Sequence, residues 1–218
     1  MPWFGGNKSY DRVRILDDAR RAVRRGAHAK AVVLYESVHA HEPDNTDLLR
    51  RLAIERARAG QRDEALRDCR SAASSLAKQG FVAQAIGSYR ELAAHIPDEV
   101  TIWQALAELE LERKRETDAV EVLVEGQQRF RSRRRRTDGI ALLRRARQID
   151  PTHFEANFQL AGLVARSGAR RPALRILEAL TPNARTRRQK RRLRGRLFRL
   201  SPTPAAAWRW LVALFGGA

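Results

Sequence analysis

A period of 54 residues is the sequence feature that most constrains the fold of this chain. Pro43, Pro97 and Pro151 stand 54 positions apart, and short apolar motifs between them keep the same step. The matching positions are Leu49, Leu52, Ala53 and Ala65, then Trp103, Leu106, Ala107 and Ala119, and finally Asn157, Leu160, Ala161 and Ala173. A fixed period of this length predicts stacked, similar units rather than one closed globule.

The residue pattern inside each unit predicts helices. Apolar residues recur at intervals of three and four, as they do between Val13 and Val23. Alanine, leucine, arginine and glutamate dominate, and only 6% of residues are aromatic, a composition that favours helix. We count twelve helices and no strand, so the predicted fold class is all-α. One long helix is expected over residues 62–79, and another is expected to continue to about Arg134.

The spacing of large and small residues resembles the tetratricopeptide repeat, a helix-turn-helix unit of 34 residues. A unit that begins at Thr46 fits the family pattern at Leu49, Leu52, Ala53, Gly60, Ala65, Cys69 and Ala72. A second unit begins at Leu66 and fits at Ala85, Tyr89, Leu92 and Pro97. The two units overlap along the helix at 62–79, which explains a period of 54 instead of 34. Lys114 departs from the pattern, because a turn glycine belongs there.

The resemblance to bacterial-type members of this family implies an α-solenoid with a right-handed superhelical path and a role in binding proteins. The domain organisation expected is a tail at 1–9, a solenoid at 10–202 with super-repeats 46–99, 100–153 and 154–202, and an amphipathic helix within 203–218. Trp3 and Phe4 could pack on the first helix or on a partner.

The last helix has two predicted roles. It either covers the final core face or docks at a membrane or a partner through Trp208, Trp210, Leu211 and Phe215.

The net charge of +18 is concentrated in the second part of the chain. Residues 1–125 carry 20 basic and 21 acidic residues, whereas residues 126–218 carry 23 basic and 4 acidic residues. Such a gradient is typical of a surface that faces nucleic acid, anionic lipid or an acidic protein. Arginine accounts for 38 of the 43 basic residues. A GC-rich genome would also enrich arginine on a solvated face, so a surface without a partner is the alternative.

Two stretches supply the predicted basic surface. The first is expected at the end of the long helix, where cations suit the helix dipole. The surface consists of Arg129, Arg131, Arg133, Arg134, Arg135 and Arg136, together with Arg187, Arg188, Lys190, Arg191, Arg192, Arg194 and Arg196. The arginine side chain can bind phosphate or carboxylate with two parallel hydrogen bonds, so nucleic acid and acidic peptide are both permitted partners. The only rings in these stretches, Phe130 and Phe198, are expected in the core, so a nucleic acid would be held through its backbone rather than by base stacking.

The resemblance also implies a protein-binding groove along the first helix of each repeat. Carried over by position, its residues are Arg50, Ile54 and Ala57 in one copy and Gln104, Glu108 and Leu111 in the next. The lysine and asparagine clamp of chaperone-binding members is absent, which disfavours a receptor for chaperone tails. The partner of the groove is not specified by the sequence.

Catalytic and metal-binding motifs are missing from the sequence. His39 and His41 are two residues apart and would point to different faces of a helix. The HExxH, GxGxxG, Walker A and GxSxG patterns are all absent. We therefore predict a non-enzymatic protein without a cofactor.

The single cysteine and the chain ends bear on location. Cys69 excludes an internal disulfide, which fits a reducing compartment, and its repeat position predicts a buried, inert thiol. The first residues do not resemble a secretion signal, and the longest apolar run, 210–218, is far shorter than the roughly 20 residues of a membrane span. We expect a cytoplasmic protein, either free or at the periphery of a membrane or large assembly.

The oligomeric state is left open by the sequence. An open-ended solenoid could stack on a second copy of itself.

Overall fold

The computed structural model describes residues 10–130 and 132–202, and these residues form helices and turns without a strand. The helices are α1 (Arg12–Arg24), α2 (His28–His39), α3 (Thr46–Arg58), α4 (Arg62–Lys78), α5 (Val82–His95), α6 (Val100–Glu112), α7 (Glu116–Gln127), α8 (Arg136–Ile149), α9 (Phe154–Arg166), α10 (Arg170–Ala179) and α11 (Arg187–Leu200), with a short 3₁₀ helix at Thr181–Asn183. The all-α prediction is confirmed. The predicted twelfth helix, the N-terminal tail and Arg131 lie outside the described residues.

The chain divides into two compact units, residues 1–97 and residues 98–218. In the first unit, helices α1 to α5 pack in chain order, each against its neighbour within the unit, and α3 also contacts α5. In the second unit each of α6 to α11 packs on the next, and α6 contacts α8 while α9 contacts both α7 and α11. Each unit is therefore a stack of helix-turn-helix repeats, which is the α-solenoid class that the sequence predicts.

Left-handed residues close five of the turns between helices. Gly26, Gly60, Gly80 and Gly168 have φ between 70° and 93°, and Lys114 reaches φ 58° at the equivalent place. At Lys114 the backbone N–H donates to Leu111 O at 2.8 Å, and the next N–H, of Arg115, donates to Glu110 O at 2.9 Å. This pair of bonds is the Schellman ending of a helix, and glycine adopts its backbone angles without a Cβ penalty. The turn thus keeps its shape although lysine replaces the expected glycine.

Equivalent repeat positions occupy equivalent places in the core. Leu52, Leu106 and Leu160 are 0%, 0% and 2% exposed. The small residues Ala65, Ala119 and Ala173 are fully buried as well, which lets neighbouring helices approach closely. The period of 54 residues therefore corresponds to a repeated set of three helices: α3 to α5, α6 to α8, and α9 to α11.

One helix is as long as predicted and one is not. Helix α4 spans 17 residues and packs on both α3 and α5, so it serves two overlapping repeats. Helix α7 ends at Gln127 instead of near Arg134. Beyond Gln127 the chain turns so that Phe130 is buried, and a continued helix would carry a run of arginines with no further apolar stripe. Like charges three and four residues apart destabilise such a helix, and the prediction of a long helix here was wrong.

The three-helix repeat places equivalent helices in opposite layers of the second unit. Because α6 contacts α8 whereas α7 and α11 contact α9, α6 and α9 lie in different layers although both begin a super-repeat. An odd number of helices per repeat has this consequence in any two-layer stack.

No helix of the described residues is both long enough and apolar enough to cross a bilayer.

Candidate arginine-lined binding site

A cleft of about 620 Å³ lies in the second unit, between the end of α7, the start of α8, and helices α9 and α11. We call it the arginine cleft. Its charged lining residues are Arg136, Arg166, Arg192 and Arg196. The other lining residues are Gln127, Gln128, Gln159, Phe158 and Leu163. Among the described residues that line the cleft, none is acidic, so the lining is strongly positive.

The start of α11 fixes which arginines face the cleft. Thr186 accepts a hydrogen bond from the Gln189 N–H, and the Gln189 side chain accepts one from the Thr186 N–H in return. This capping box sets where the helix begins, and Leu193 is then buried against the core. Arg192 and Arg196 are four residues apart and therefore lie on one face of the helix. Because the helix begins at Arg187, Arg192 and Arg196 line the cleft, whereas the other basic residues of α11 do not.

Arg192 is paired within the protein. Its Nη1 and Nη2 atoms donate to the two carboxylate oxygens of Glu155 at 2.8 and 3.1 Å. Burial by itself raises the pKa of Glu155, but hydrogen bonds from Arg192 and Gln159 outweigh it and hold the pKa below its ordinary value. The carboxylate stays ionised at neutral pH and orients Arg192 along the edge of the cleft.

Arg196 is held by uncharged groups. Its Nη1 atom donates to the Phe158 carbonyl oxygen at 2.7 Å, and its guanidinium lies 3.8 Å from the centroid of the Phe158 ring. A Cβ atom placed on Gly162 would lie 2.6 Å from Arg196 Nη1, so the bare glycine backbone makes room for the guanidinium. Burial lowers the pKa of Arg196, and the positive charges of Arg166 and Arg192 lower it further.

The two remaining arginines of the cleft lie at the start of α8 and at the end of α9. Arg136 donates from Nη1 to the Arg166 carbonyl oxygen at 2.5 Å, which ties the start of α8 to the end of α9. The Arg166 side chain is exposed, and no described residue forms an ion pair with it. Together with Arg196, these two guanidiniums can bind carboxylate or phosphate with charge-assisted hydrogen bonds.

Phe158, the one aromatic residue among the described residues that line the cleft, has a covered ring. Guanidiniums of Arg196 and Arg192 lie 3.8 and 4.4 Å from the Phe158 centroid, and the Phe154 ring stacks on Phe158 at 5.6 Å. A base could stack only on a free ring face. The cleft therefore presents charge and amides to a ligand rather than an aromatic platform.

The rest of the predicted basic surface has mixed surroundings. Exposed members are Arg129, Arg133, Arg134, Arg187, Arg188, Lys190 and Arg191, and Arg194 is half-buried. Arg135 has a structural role that the sequence did not reveal. It donates to the Asp98 carbonyl oxygen at 2.7 Å, also binds the Asp98 and Asp138 carboxylates, and lies over Phe130. The arginine run lies before α8, and its last member, Arg136, is the first residue of that helix. The prediction that these cations lie at the negative end of a long helix was therefore wrong.

The groove residues carried over from the resemblance are divided between the two units. In the first unit Arg50 and Ile54 line a cleft of about 450 Å³, together with residues of α1, α2 and α5, whereas Ala57 lies outside its lining. In the second unit Gln104 and Glu108 are exposed on α6 and Leu111 is half-buried. Glu108 accepts a hydrogen bond from Arg145 Nη2 at 2.8 Å.

Cys69 is buried, as its repeat position predicted. Within the described residues, no three His, Cys, Asp or Glu side chains are grouped so that they could hold a metal ion. Sequence reasoning missed Arg166, Phe158 and Gln159 as cleft residues. The four-residue spacing of Arg192 and Arg196 indicates that both lie on one face of a helix. It does not indicate which other helix that face contacts.

Several solved structures are similar to this chain. A crystal structure of MamA is 14% identical, with 93% of this chain and 90% of MamA covered at a TM-score of 0.30. A tetratricopeptide repeat protein from Parabacteroides merdae is 17% identical, with 95% and 93% covered at a TM-score of 0.31. Yeast Tom70 is 15% identical, with 89% of this chain and 42% of Tom70 covered at a TM-score of 0.45.

These likenesses are too weak to carry an argument about function. No family model matches the chain, and no curated protein matches it. The tetratricopeptide-like fold therefore rests on the helices, turns and buried repeat positions described above.

Proposed function

We propose that this protein is a non-enzymatic scaffold that binds other proteins, and that the basic surface of its second unit binds an acidic partner. The observation that carries the proposal is the excess of arginines without acidic partners. Residues 126–218 contain only 4 acidic residues. Two of these, Asp138 and Glu155, are already paired with Arg135 and Arg192. Most of the guanidiniums therefore have no internal carboxylate to bind.

Helix stacks favour a binding role over a catalytic one. The exposed arginines project from a framework of packed helices, which presents many side chains over a wide surface. Charge on such a surface increases the rate of encounter with an acidic partner and selects against basic ones. The absence of catalytic motifs in the sequence supports the non-enzymatic part of the proposal.

The alternative is a nucleic-acid-associated protein that binds the phosphate backbone without sequence preference. The exposed neighbours Arg133 and Arg134 and the exposed neighbours Arg187 and Arg188 favour this candidate, because phosphates are bound by closely spaced cations. Binding would weaken steeply as the salt concentration rises. A gel-shift titration against duplex and single-stranded nucleic acid at about 50 mM salt tests this candidate. Absence of a shift under these conditions would remove it.

An affinity purification tests the proposed function. The tagged protein is incubated with nuclease-treated host extract at about 0.15 M salt, and the retained proteins are identified by mass spectrometry. We expect retained proteins with strongly acidic segments. We also expect their loss from a variant in which four exposed arginines become glutamine: Arg133, Arg134, Arg187 and Arg188.

The matched control variant removes the same charge from the first unit. Its substitutions to glutamine are at Arg14, Arg25, Lys30 and Lys78, all exposed. We expect this control to retain the acidic proteins. Equal loss from both variants would mean that net charge alone governs retention. Proteins retained from untreated extract but not from nuclease-treated extract would favour the nucleic-acid alternative.

We further propose a cytoplasmic location, with residues 203–218 available for docking at a membrane or partner. Co-sedimentation with anionic vesicles compares the full chain with a chain that ends at Ser201. Binding that requires residues 203–218 supports the docking role, and unchanged binding removes it.

A further inference from the structure

We infer that the arginine cleft holds an extended acidic peptide segment of the partner, with carboxylates bound by Arg136, Arg166 and Arg196. The inference rests on the proposed function and specifies the site of binding. It is carried by the convergence of these residues from three helices on one cleft of about 620 Å³.

The charge of the cleft calls for an anionic ligand. Arg196 is half-buried; its guanidinium donates to a carbonyl oxygen and lies over a ring, while Arg192 and Arg166 line the same cleft. A guanidinium that is partly removed from water near other cations is stabilised by an incoming carboxylate, which supplies charge-assisted hydrogen bonds. Because Glu155 already binds Arg192, the three other arginines are the ones that a ligand would contact.

The neutral lining suits a peptide backbone. Gln127, Gln128 and Gln159 line the cleft beside the arginines, and Gln159 also donates from Nε2 to Glu155 at 2.8 Å. A side-chain amide has two N–H donors and an oxygen acceptor, so one internal hydrogen bond leaves it able to bind a peptide group as well. Leu163 adds an apolar contact for the aliphatic part of a side chain. A ligand with carboxylates on an amide backbone matches this combination of groups.

The covered ring disfavours nucleic acid in the cleft. Both guanidiniums beside Phe158 and the stacked Phe154 ring occupy the surroundings of the one aromatic side chain. Single-stranded nucleic acid gains much of its affinity from base stacking on aromatic rings. A peptide does not need such a platform, so the cleft favours an acidic peptide over nucleic acid.

The probe is a short fluorescein-labelled peptide in which glutamate alternates with glycine, and binding to the full chain is measured by fluorescence anisotropy. The same peptide with glutamine in place of each glutamate is the ligand control. We expect the glutamate peptide to bind and the glutamine peptide not to bind. Equal binding of the two peptides would overturn the inference.

A pair of variants with equal charge separates the cleft from the rest of the surface. The cleft variant is Arg166→Gln with Arg196→Gln, and the control is Arg171→Gln with Arg185→Gln, two exposed residues outside the cleft lining. We expect the cleft variant to bind the glutamate peptide about tenfold or more weakly, and the control to differ by less than about twofold. Thermal unfolding checks that both variants are folded.

A third variant moves a cleft group without changing the charge. Gly162→Ala would place a Cβ atom 2.6 Å from Arg196 Nη1, and the end of that flexible side chain must shift. We expect weaker binding of the glutamate peptide with an unchanged net charge. Unchanged binding by both Gly162→Ala and the cleft variant would overturn the inference.

The outcome for the cleft is distinguishable from the outcome for the proposed function. If acidic host proteins remain bound to the cleft variant but are lost when Arg133, Arg134, Arg187 and Arg188 are substituted, the partner binds the exposed surface and the cleft inference fails alone. If single-stranded DNA competes with the glutamate peptide in wild type and equally in Gly162→Ala, the binding reflects charge and the inference also fails.

Discussion

A Cβ atom placed on Gly126 in α7 would lie 2.5 Å from Cγ of Trp103 in α6. The Trp103 side chain is 3% exposed, so its ring is enclosed by the core of the second unit. The glycine thus provides the space that the ring occupies. This contact joins the two helices at the start of the second super-repeat.

Gly126→Ala is therefore expected to destabilise the protein. Overpacking of a buried ring costs about 1–3 kcal/mol, and the better helix propensity of alanine offsets up to about 1 kcal/mol of this. Urea unfolding followed by circular dichroism measures the difference. Gly87→Ala is the matched control, because Gly87 is exposed inside α5 with no heavy atom within 4 Å of the added Cβ. The control should gain about 0.5–1 kcal/mol, and a gain by both variants would contradict the prediction.

Lys114→Gly is expected to stabilise the protein. Lys114 is an exposed residue with φ 58°, a conformation that costs an L-residue roughly 1–2 kcal/mol. Glycine removes this strain but has a more flexible unfolded chain, so the net gain expected is about 0.5–1 kcal/mol in the free energy of unfolding. Lys114→Ala retains the Cβ atom and should bring no comparable gain. Equal stabilisation by the two substitutions would point to the lysine side chain instead of the backbone.

The ion pair between Glu155 and Arg192 predicts a pH-dependent contribution to stability. Burial raises the pKa of Glu155, but hydrogen bonds from Arg192 and Gln159 lower it below the ordinary value. The contribution is therefore fully present above the unfolded-state pKa of about 4.3 and is lost as pH falls through the folded-state pKa. Because the carboxylate is partly exposed and screened by solvent, we expect about 1 kcal/mol or less.

The measurement for this pair is the free energy of unfolding of wild type and Glu155→Gln between about pH 7 and pH 3. The difference between the two should shrink toward acid. Glu178→Gln is the control, since Glu178 is exposed and forms no ion pair with a described residue. A difference for Glu155→Gln that is constant with pH would exclude an electrostatic origin.

The Cys69 thiol is expected to be unreactive in the folded protein. Burial raises the pKa of Cys69 to about 12, with smaller contributions from the negative charges of Glu91 and Asp68. The thiolate is the reactive species, so an aromatic disulfide reagent at about pH 8 should react at least about a hundredfold faster after unfolding in urea. Fast stoichiometric reaction of the folded chain would show that the thiol is accessible.

Local features of the fold could be predicted from the sequence. The core positions Leu52, Leu106 and Leu160 follow from the spacing of apolar residues, since helical periodicity is a property of neighbouring residues. The turns at glycine also follow, because their backbone angles depend on the residue in the turn. The sequence shows that Lys114 replaces the expected turn glycine, but it does not show whether the turn keeps its left-handed conformation. The packing of α6 on α7 maintains that conformation, although lysine disfavours it locally.

The end of α7 and the role of Arg135 depend on distant residues. Arg135 binds Asp98, 37 positions earlier, and this contact exists only after α6, α7 and α8 have packed together. The sequence pattern predicted that the arginine run ends a helix, because its charges suit a helix dipole. Burial of Phe130 and repulsion among the guanidiniums instead end α7 before the run begins.

The sequence by itself determined the helices, the three-helix period, the buried thiol and the concentration of arginine after residue 126, because each depends on neighbouring residues or on composition. Only the tertiary structure decided which arginines share a cleft. Within the second unit, the packing of whole helices also places α6 and α9 in opposite layers. Arg136, Arg166 and Arg196 converge because helices far apart in sequence pack side by side, and this packing is a long-range property of the folded chain.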